Sequence, residues 1–290
     1  MSRSFFPRIS PPQYRRATLA ALILLAVIVV TGASVRLTGS GLGCTDWPNC
    51  EEGRLVAELE FHPLIEFGNR LVTGIVGIAV IGAVLGSLRR LPRRRDLVWL
   101  SWSLVFGVLV QAIIGKYTVQ VDLHPAVVAT HFLLSFVLIT AAVVLHHRAG
   151  SEQPPPRAGS PAAARIANLV VVAAFAVLIA GTIVTGTGPH GGDEMAQRFQ
   201  LIMTDVVRVH GALAWTLVAA TVALALKLRR ENAGPVAQRA VVVLLAVEIA
   251  QGAIGYTQYL MGVPPLLVAV HVAGALAVWI TALRVRLAIG

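Results

Sequence analysis

Eight apolar runs constrain this chain more than any other feature. Each is long enough, as a helix, to cross roughly 30 Å of hydrocarbon. They lie near residues 17–37, 65–88, 97–118, 125–147, 165–187, 204–227, 237–258 and 265–286. Lipid offers backbone N–H and C=O groups no partner, so such runs must satisfy their own hydrogen bonds as helices. With 56% hydrophobic and only 13% charged residues, the chain lies outside the composition of soluble domains. The expected fold class is an all-α polytopic membrane protein. The first run is longer than a signal core and ends in Arg36-Leu37-Thr38-Gly39, without a small-x-small cleavage pattern, so it is expected to be kept as a span.

The net charge of +10 does not point to nucleic acid, because the basic residues fall in short clusters between apolar runs, where they set topology. One set of connections carries eighteen of the 24 Lys and Arg residues, among them Arg3, Arg15, Arg16, the Arg89–Arg95 cluster, Arg148, Arg157 and the Lys227–Arg230 cluster. The other set carries six: Arg36, Arg54, Arg70, Lys116, Arg198 and Arg208. The positive-inside rule therefore expects both termini in the cytoplasm, in a plasma membrane. A linker at 149–164, rich in Pro, Gly, Ser and Ala, separates a four-helix half at 1–148 from a second at 165–290.

The halves read as copies. Val110-Gln111-Ala112-Ile113-Ile114-Gly115 corresponds to Ala250-Gln251-Gly252-Ala253-Ile254-Gly255, and Pro125 and His131 to Pro265 and His271, all at an offset of 140. With four spans per unit the second copy re-enters in the same orientation, so two tandem bundles related by an axis along the membrane normal are expected. Val30-Thr31-Gly32 also echoes Val184-Thr185-Gly186, at a different offset.

Polar residues inside spans are costly and mark function. Ile65-Glu66-Phe67-Gly68-Asn69-Arg70 puts a carboxylate, an amide and a guanidinium at the mouth of the second run. Glu66 is either chemistry or one half of an i,i+4 pair with Arg70. His131, His210 and His271 lie near the external ends of their spans, and under the repeat His210 maps within one residue of Asn69. Two imidazoles on facing helices suit bis-histidine haem iron, with Gly211, Gly252, Gly255 and Gly274 giving room. A single transmembrane histidine is otherwise explained by an interhelical hydrogen bond; a copper or zinc site would draw in more ligands. His62, His124 and His190 read as loop histidines, with His62 in reserve as a ligand, and His146 and His147 as interfacial. Glu248 is a second carboxylate within a span, opposite Val108 in the repeat.

The segment Thr31-Gly32-Ala33-Ser34-Val35-Arg36-Leu37-Thr38-Gly39-Ser40-Gly41-Leu42-Gly43-Cys44-Thr45-Asp46-Trp47-Pro48-Asn49-Cys50 resembles the first-helix exit and loop of the heme A synthases. Eight spans, duplicated units and a histidine opening the fourth, sixth and eighth helices extend the likeness. The resemblance implies oxidation of the C8 methyl of haem O to a formyl group by successive hydroxylations, giving haem A for terminal oxidases. It implies a haem b cofactor between His210 and His271, haem O in the first half at His131, Asn69 and Arg70, and Glu66 as catalytic acid or base. A carboxylate suits proton exchange as a C–H bond is oxidised or a gem-diol dehydrates.

Further expectations concern the external face. Cys44 and Cys50 are expected to pair in an external loop, where a disulfide persists, shaping a lid over the first-half site. Arg36, Arg70 and Arg208 are candidate partners of haem propionates, or equally of headgroups and loop carboxylates. Haem O synthase and cytochrome c oxidase are candidate partners. Where many members of that family have histidine, this chain has Asn69, a poor iron ligand, so the substrate iron is expected to hold His131 alone or to have an open, water-filled or otherwise served sixth position. Two other readings predict the same bundles: a non-catalytic dihaem cytochrome b-type electron carrier, and a haem-handling transporter or assembly factor.

Overall fold

The computed structural model describes residues 8–47, 49–51, 56–57, 59–150 and 159–290. Arg3, Arg54, Arg157, Pro48 and the centre of the expected linker lie outside the described residues. Eight helices follow: α1 (Pro11–Leu37), α2 (Phe61–Arg89), α3 (Arg95–Gln120), α4 (Pro125–Ala149), α5 (Pro161–Thr187), α6 (Met203–Arg230), α7 (Pro235–Leu260) and α8 (Pro265–Ile289). All eight are long and apolar enough to cross a membrane, and no β-strand occurs among the described residues. The chain is an all-α polytopic membrane protein.

Local chemistry sets the helix starts. Pro occupies the first turn of α1, α4, α5, α7 and α8, where its missing N–H is unneeded and its φ is already helical. Ser10 and Gln13 cap α1 reciprocally, and the Ser160 hydroxyl accepts from the Ala163 amide at 3.1 Å at the start of α5. Three helices start four or more residues earlier than hydropathy alone predicts, α1 at Pro11, α2 at Phe61 and α5 at Pro161, because their first turns extend beyond the apolar core. His62 consequently sits in the first turn of α2 and not in a loop.

Each half closes into a ring. α1 packs on α2 and α4, and α3 on α2 and α4; α5 packs on α6 and α8, and α7 on α6 and α8. The rings meet through α1, α4, α5 and α8. At their junction the Trp279 ring lies between Phe136, with centroids 6.3 Å apart, and Phe175, at 5.7 Å. Its Nε1–H donates to the Phe136 carbonyl at 3.1 Å and the Thr140 hydroxyl at 3.0 Å. Small residues, Ala21, Ala83, Ala142, Ala167 and Ala282, fill much of the buried helix contact, as close packing in lipid requires. Ile78, Trp99, Phe106 and Ile113 face outward; in water such a surface would aggregate, whereas lipid solvates it.

The two ends of the bundle differ. At one, Ile9 pairs with Arg89 and Leu91, Gly159 with Ile289, and the wholly buried Arg90 donates to the Pro92 carbonyl at 2.6 Å and the Ala149 carbonyl at 3.4 Å. At the other, the Gly41 amide donates to the Gly192 carbonyl at 2.8 Å, and the His190 Nε2–H to the Val263 carbonyl at 2.8 Å. The α1–α2, α5–α6 and α7–α8 connections are thereby knitted into one layer above the histidine-bearing ends of the helices.

Candidate functional site

Beneath that layer a cavity of about 1300 Å³ is lined by residues of all eight helices. That exceeds the ~300–1,000 Å³ of an ordinary small-ligand pocket. Glu66, Asn69, Arg70, His131, His210 and His271 all line it, as do Arg36, Arg208, Gln111, Glu248 and Gln251.

The repeated Gln and Gly of α3 and α7 serve their neighbouring histidines. Gln111 Nε2 donates to the His131 carbonyl at 3.1 Å and Gln251 Nε2 to the His271 carbonyl at 2.8 Å, locking α3 to α4 and α7 to α8 at the level of each histidine. Four residues on, Gly115 and Gly255 leave room for the rings: a Cβ there would lie 3.5 Å from His131 Cε1 and 3.0 Å from His271 Cε1. The sequence motif is thus a backbone clamp followed by a ring recess.

The His210 and His271 rings face each other with centroids 6.3 Å apart and planes at 69°. Two metal–imidazole bonds of about 2.0–2.1 Å, each with the ring centre about 1.1 Å behind its nitrogen, give roughly the same span. His210 Nδ1–H donates to the Val177 carbonyl at 3.2 Å, which leaves the Nε2 lone pair as the available ligand, in the manner of a ligand oriented by its outer partner. Among the described residues no group of three or more His, Cys, Asp and Glu is arranged for a metal. A metal held by this pair would therefore have to bring its remaining ligands with it, as a porphyrin does. The residues fit a haem.

In the first half, Asn69 of α2 lines the cavity with His131. Asn69 Oδ1 accepts from the Thr31 hydroxyl at 2.8 Å. His62, the reserve ligand, is bonded through Nδ1 to the Ser40 hydroxyl at 3.0 Å and is not part of the cavity wall.

Glu66 is buried, and both of its oxygens are engaged: Oε1 accepts from Arg70 Nη2 at 2.6 Å and Oε2 from the Cys44 amide at 2.9 Å. Arg70 Nη1 reaches the carbonyls of Asp46 and Asn49. The i,i+4 pair is therefore present, and it also fastens the Cys44–Cys50 loop, whose disulfide is formed, to the first turns of α2. Arg70 is committed to that loop. Arg208 pairs at the surface with Asp205 at 3.5 Å, and Arg36 packs against Gly192.

Sequence reading passed over two features. Thr31, whose hydroxyl holds Asn69, stands out in the sequence only as part of an echo with Thr185. Arg90 belongs to a basic cluster of the kind that sets topology, yet it is buried; no local signal separates it from Arg89. Glu248 lies buried on α7, with Oε1 accepting from the Thr221 hydroxyl at 2.8 Å.

Curated relatives fall among bacterial proteins named heme A synthase. The chain is 34% identical over 124 residues to that of Lysinibacillus sphaericus (strain C3-41), covering 42% of this chain and 40% of the relative. It is 31% identical over 114 residues to that of Exiguobacterium sibiricum, covering 39% and 38%, and 31% identical over 121 residues to that of Staphylococcus saprophyticus, covering 41% and 40%. These matches span about two fifths of the relatives' length. The family model described as cytochrome oxidase assembly protein, COX15-CtaA, matches residues 15–283, nearly the whole of the eight-helix body, and the chain belongs to that family.

Proposed function

We propose that this protein is a heme A synthase, oxidising the C8 methyl of haem O to a formyl group by successive hydroxylations and loss of water. The observation that carries the reading is the His210–His271 pair, 6.3 Å apart across a cavity that continues to His131, Asn69 and Glu66. Family membership and the names of the curated relatives support it.

In this reading α1–α4 form the substrate half and α5–α8 the cofactor half, related by a pseudo-two-fold along the membrane normal. His210 and His271 hold haem b, which supplies one-electron transfer when bound. His131 holds the iron of haem O from one side. Glu66, fixed at the cavity wall by Arg70 and the Cys44 amide, exchanges protons as the methyl C–H is oxidised and as the gem-diol loses water. Arg36 and Arg208 neutralise propionates at the loop end. The distribution of arginines supports a plasma-membrane protein with cytoplasmic termini and an external site, acting between haem O synthase and cytochrome c oxidase.

Expression beside a haem O source, followed by extraction and chromatography of the haems, tests this. The hydroxylated or formyl product is expected. Recovery of haem O unchanged, from protein that carries haem, would overturn the proposal in favour of an electron carrier or haem-handling factor.

A further inference from the structure

Each half has one seam that no third helix covers, and the two seams are fastened at different levels. α2 packs only on α1 and α3, and α3 only on α2 and α4; α6 packs only on α5 and α7, and α7 only on α6 and α8. The α2–α3 and α6–α7 seams therefore stand between the cavity and the bilayer. Their buried faces set the register. Val76, Val80, Ala83 and Ser87 of α2 recur as Leu217, Thr221, Leu224 and Leu228 of α6, at an offset of 141. Leu97, Ser101 and Leu104 of α3 recur as Ala237, Val241 and Leu244 of α7, at an offset of 140.

In that register the bonding side chains of one seam meet non-bonding ones in the other. Trp215 Nε1–H donates to Tyr256 Oη at 3.1 Å, and the Thr221 hydroxyl to Glu248 Oε1 at 2.8 Å. These two bonds join α6 to α7 beside the cavity, which Trp215, Tyr256 and Glu248 line. Their counterparts are Gly74 with Lys116 and Val80 with Val108. A Cβ at Gly74 would meet nothing within 4 Å, and Lys116 Nζ is turned to the external loop, 5.2 Å from the centroid of the Trp47 ring. The first half is bonded instead nearer its cytoplasmic end, where Ser101 Oγ donates to Ser87 Oγ at 3.0 Å and the second half has Val241 and Leu228.

We propose that the α2–α3 seam is the passage by which a porphyrin moves between the bilayer and the first-half site, and that the Trp215–Tyr256 and Thr221–Glu248 bonds deny the second half the same passage. Parting α6 from α7 leaves an indole N–H and a buried carboxyl group in hydrocarbon, which offers neither a new partner. Parting α2 from α3 at that level separates glycine and valine, whose side chains have no hydrogen bonds to lose. The Ser87–Ser101 bond and the connection from Arg89 to Arg95 hold the far end, so the pair opens toward His131. The bonded loop layer roofs the external end, which leaves the side of the bundle as the route for an apolar macrocycle. The proposal rests on the haem-binding reading above and adds which half exchanges its haem, and through which residues.

Full-length protein carrying both haems in lipid vesicles provides the test, with transfer of haem to apomyoglobin followed by absorption. The low-spin bis-histidine spectrum marks the haem between His210 and His271. Wild type is expected to release the other haem at least fivefold faster than this one. Trp215→Gly with Tyr256→Lys should speed loss of the bis-histidine haem at least fivefold, and Gly74→Trp with Lys116→Tyr should slow loss of the first-half haem by the same factor. Absence of any bis-histidine haem in wild type would sink the haem-binding reading itself. With that haem present, a difference of less than fivefold between the wild-type halves, or a change of less than fivefold in either pair of substitutions, would overturn this inference and leave that reading standing. Should Trp215→Gly/Tyr256→Lys fail to fold, the Gly74→Trp/Lys116→Tyr protein, which builds into open space, decides the matter.

Discussion

Replacing Glu66 with Gln separates its role as a clamp from any role in proton exchange. The carboxylate presents two acceptor oxygens to two donors, the Arg70 guanidinium and the Cys44 amide. Glutamine keeps the shape but has one acceptor, so its NH₂ must face one of those donors. The Glu66 and Arg70 side chains are only 8% and 17% exposed, so water replaces the lost partner poorly. Losing a hydrogen bond to a charged group costs about 1.5–3 kcal/mol, which corresponds to a roughly 10- to 150-fold rise in local opening of the loop. Hydrogen–deuterium exchange at the Cys44 amide in the detergent-solubilised protein reads this directly. Exchange within threefold of wild type, alongside a loss of product formation, would show that the carboxylate does not hold the loop and that the clamp argument is wrong.

The same junction predicts that Gly43→Ala speeds exchange at Cys44 in the way Glu66→Gln does, because a Cβ there would sit 2.6 Å from the His62 carbonyl carbon and oxygen, backbone atoms that cannot swing aside; overpacking of this kind costs about 1–3 kcal/mol. Trp279→Phe removes the donor shared by the Phe136 carbonyl and Thr140 hydroxyl between the halves, and is expected to lower thermal stability in detergent by about 1–2 kcal/mol; an unchanged melting temperature would refute a structural role for that bond. Beyond the end of α6, the Ser160 hydroxyl, and then Lys227, hold the Glu231 carboxyl below its usual range. A depressed carboxyl contributes stability above its unfolded pKa and loses it as pH falls through the folded value, so acidification below the ordinary carboxylate range should speed exchange at the Ala163 amide at the start of α5, and Glu231→Gln should remove that pH dependence.

Much of the architecture was readable from the residues themselves. Span count follows from hydropathy summed over about twenty residues, which is a local quantity, and the duplicated Gln, Gly and His positions follow from a fixed offset along the chain. Pairing of Cys44 with Cys50 and the placing of His210 beside His271 agreed with the family likeness. What the chain order could not supply was rotation. A transmembrane helix that is apolar on every face carries little signal of which face meets which neighbour, and packing against other helices sets that orientation. Hence the engagement of both Glu66 oxygens, the burial of Arg90, and the cavity shared by all eight helices belong to tertiary structure. So does the contact of Thr31 with Asn69. By sequence Thr31 echoes Thr185, but only where α1 meets α2 does its hydroxyl reach Asn69, because the register between neighbouring helices is fixed where their side chains meet.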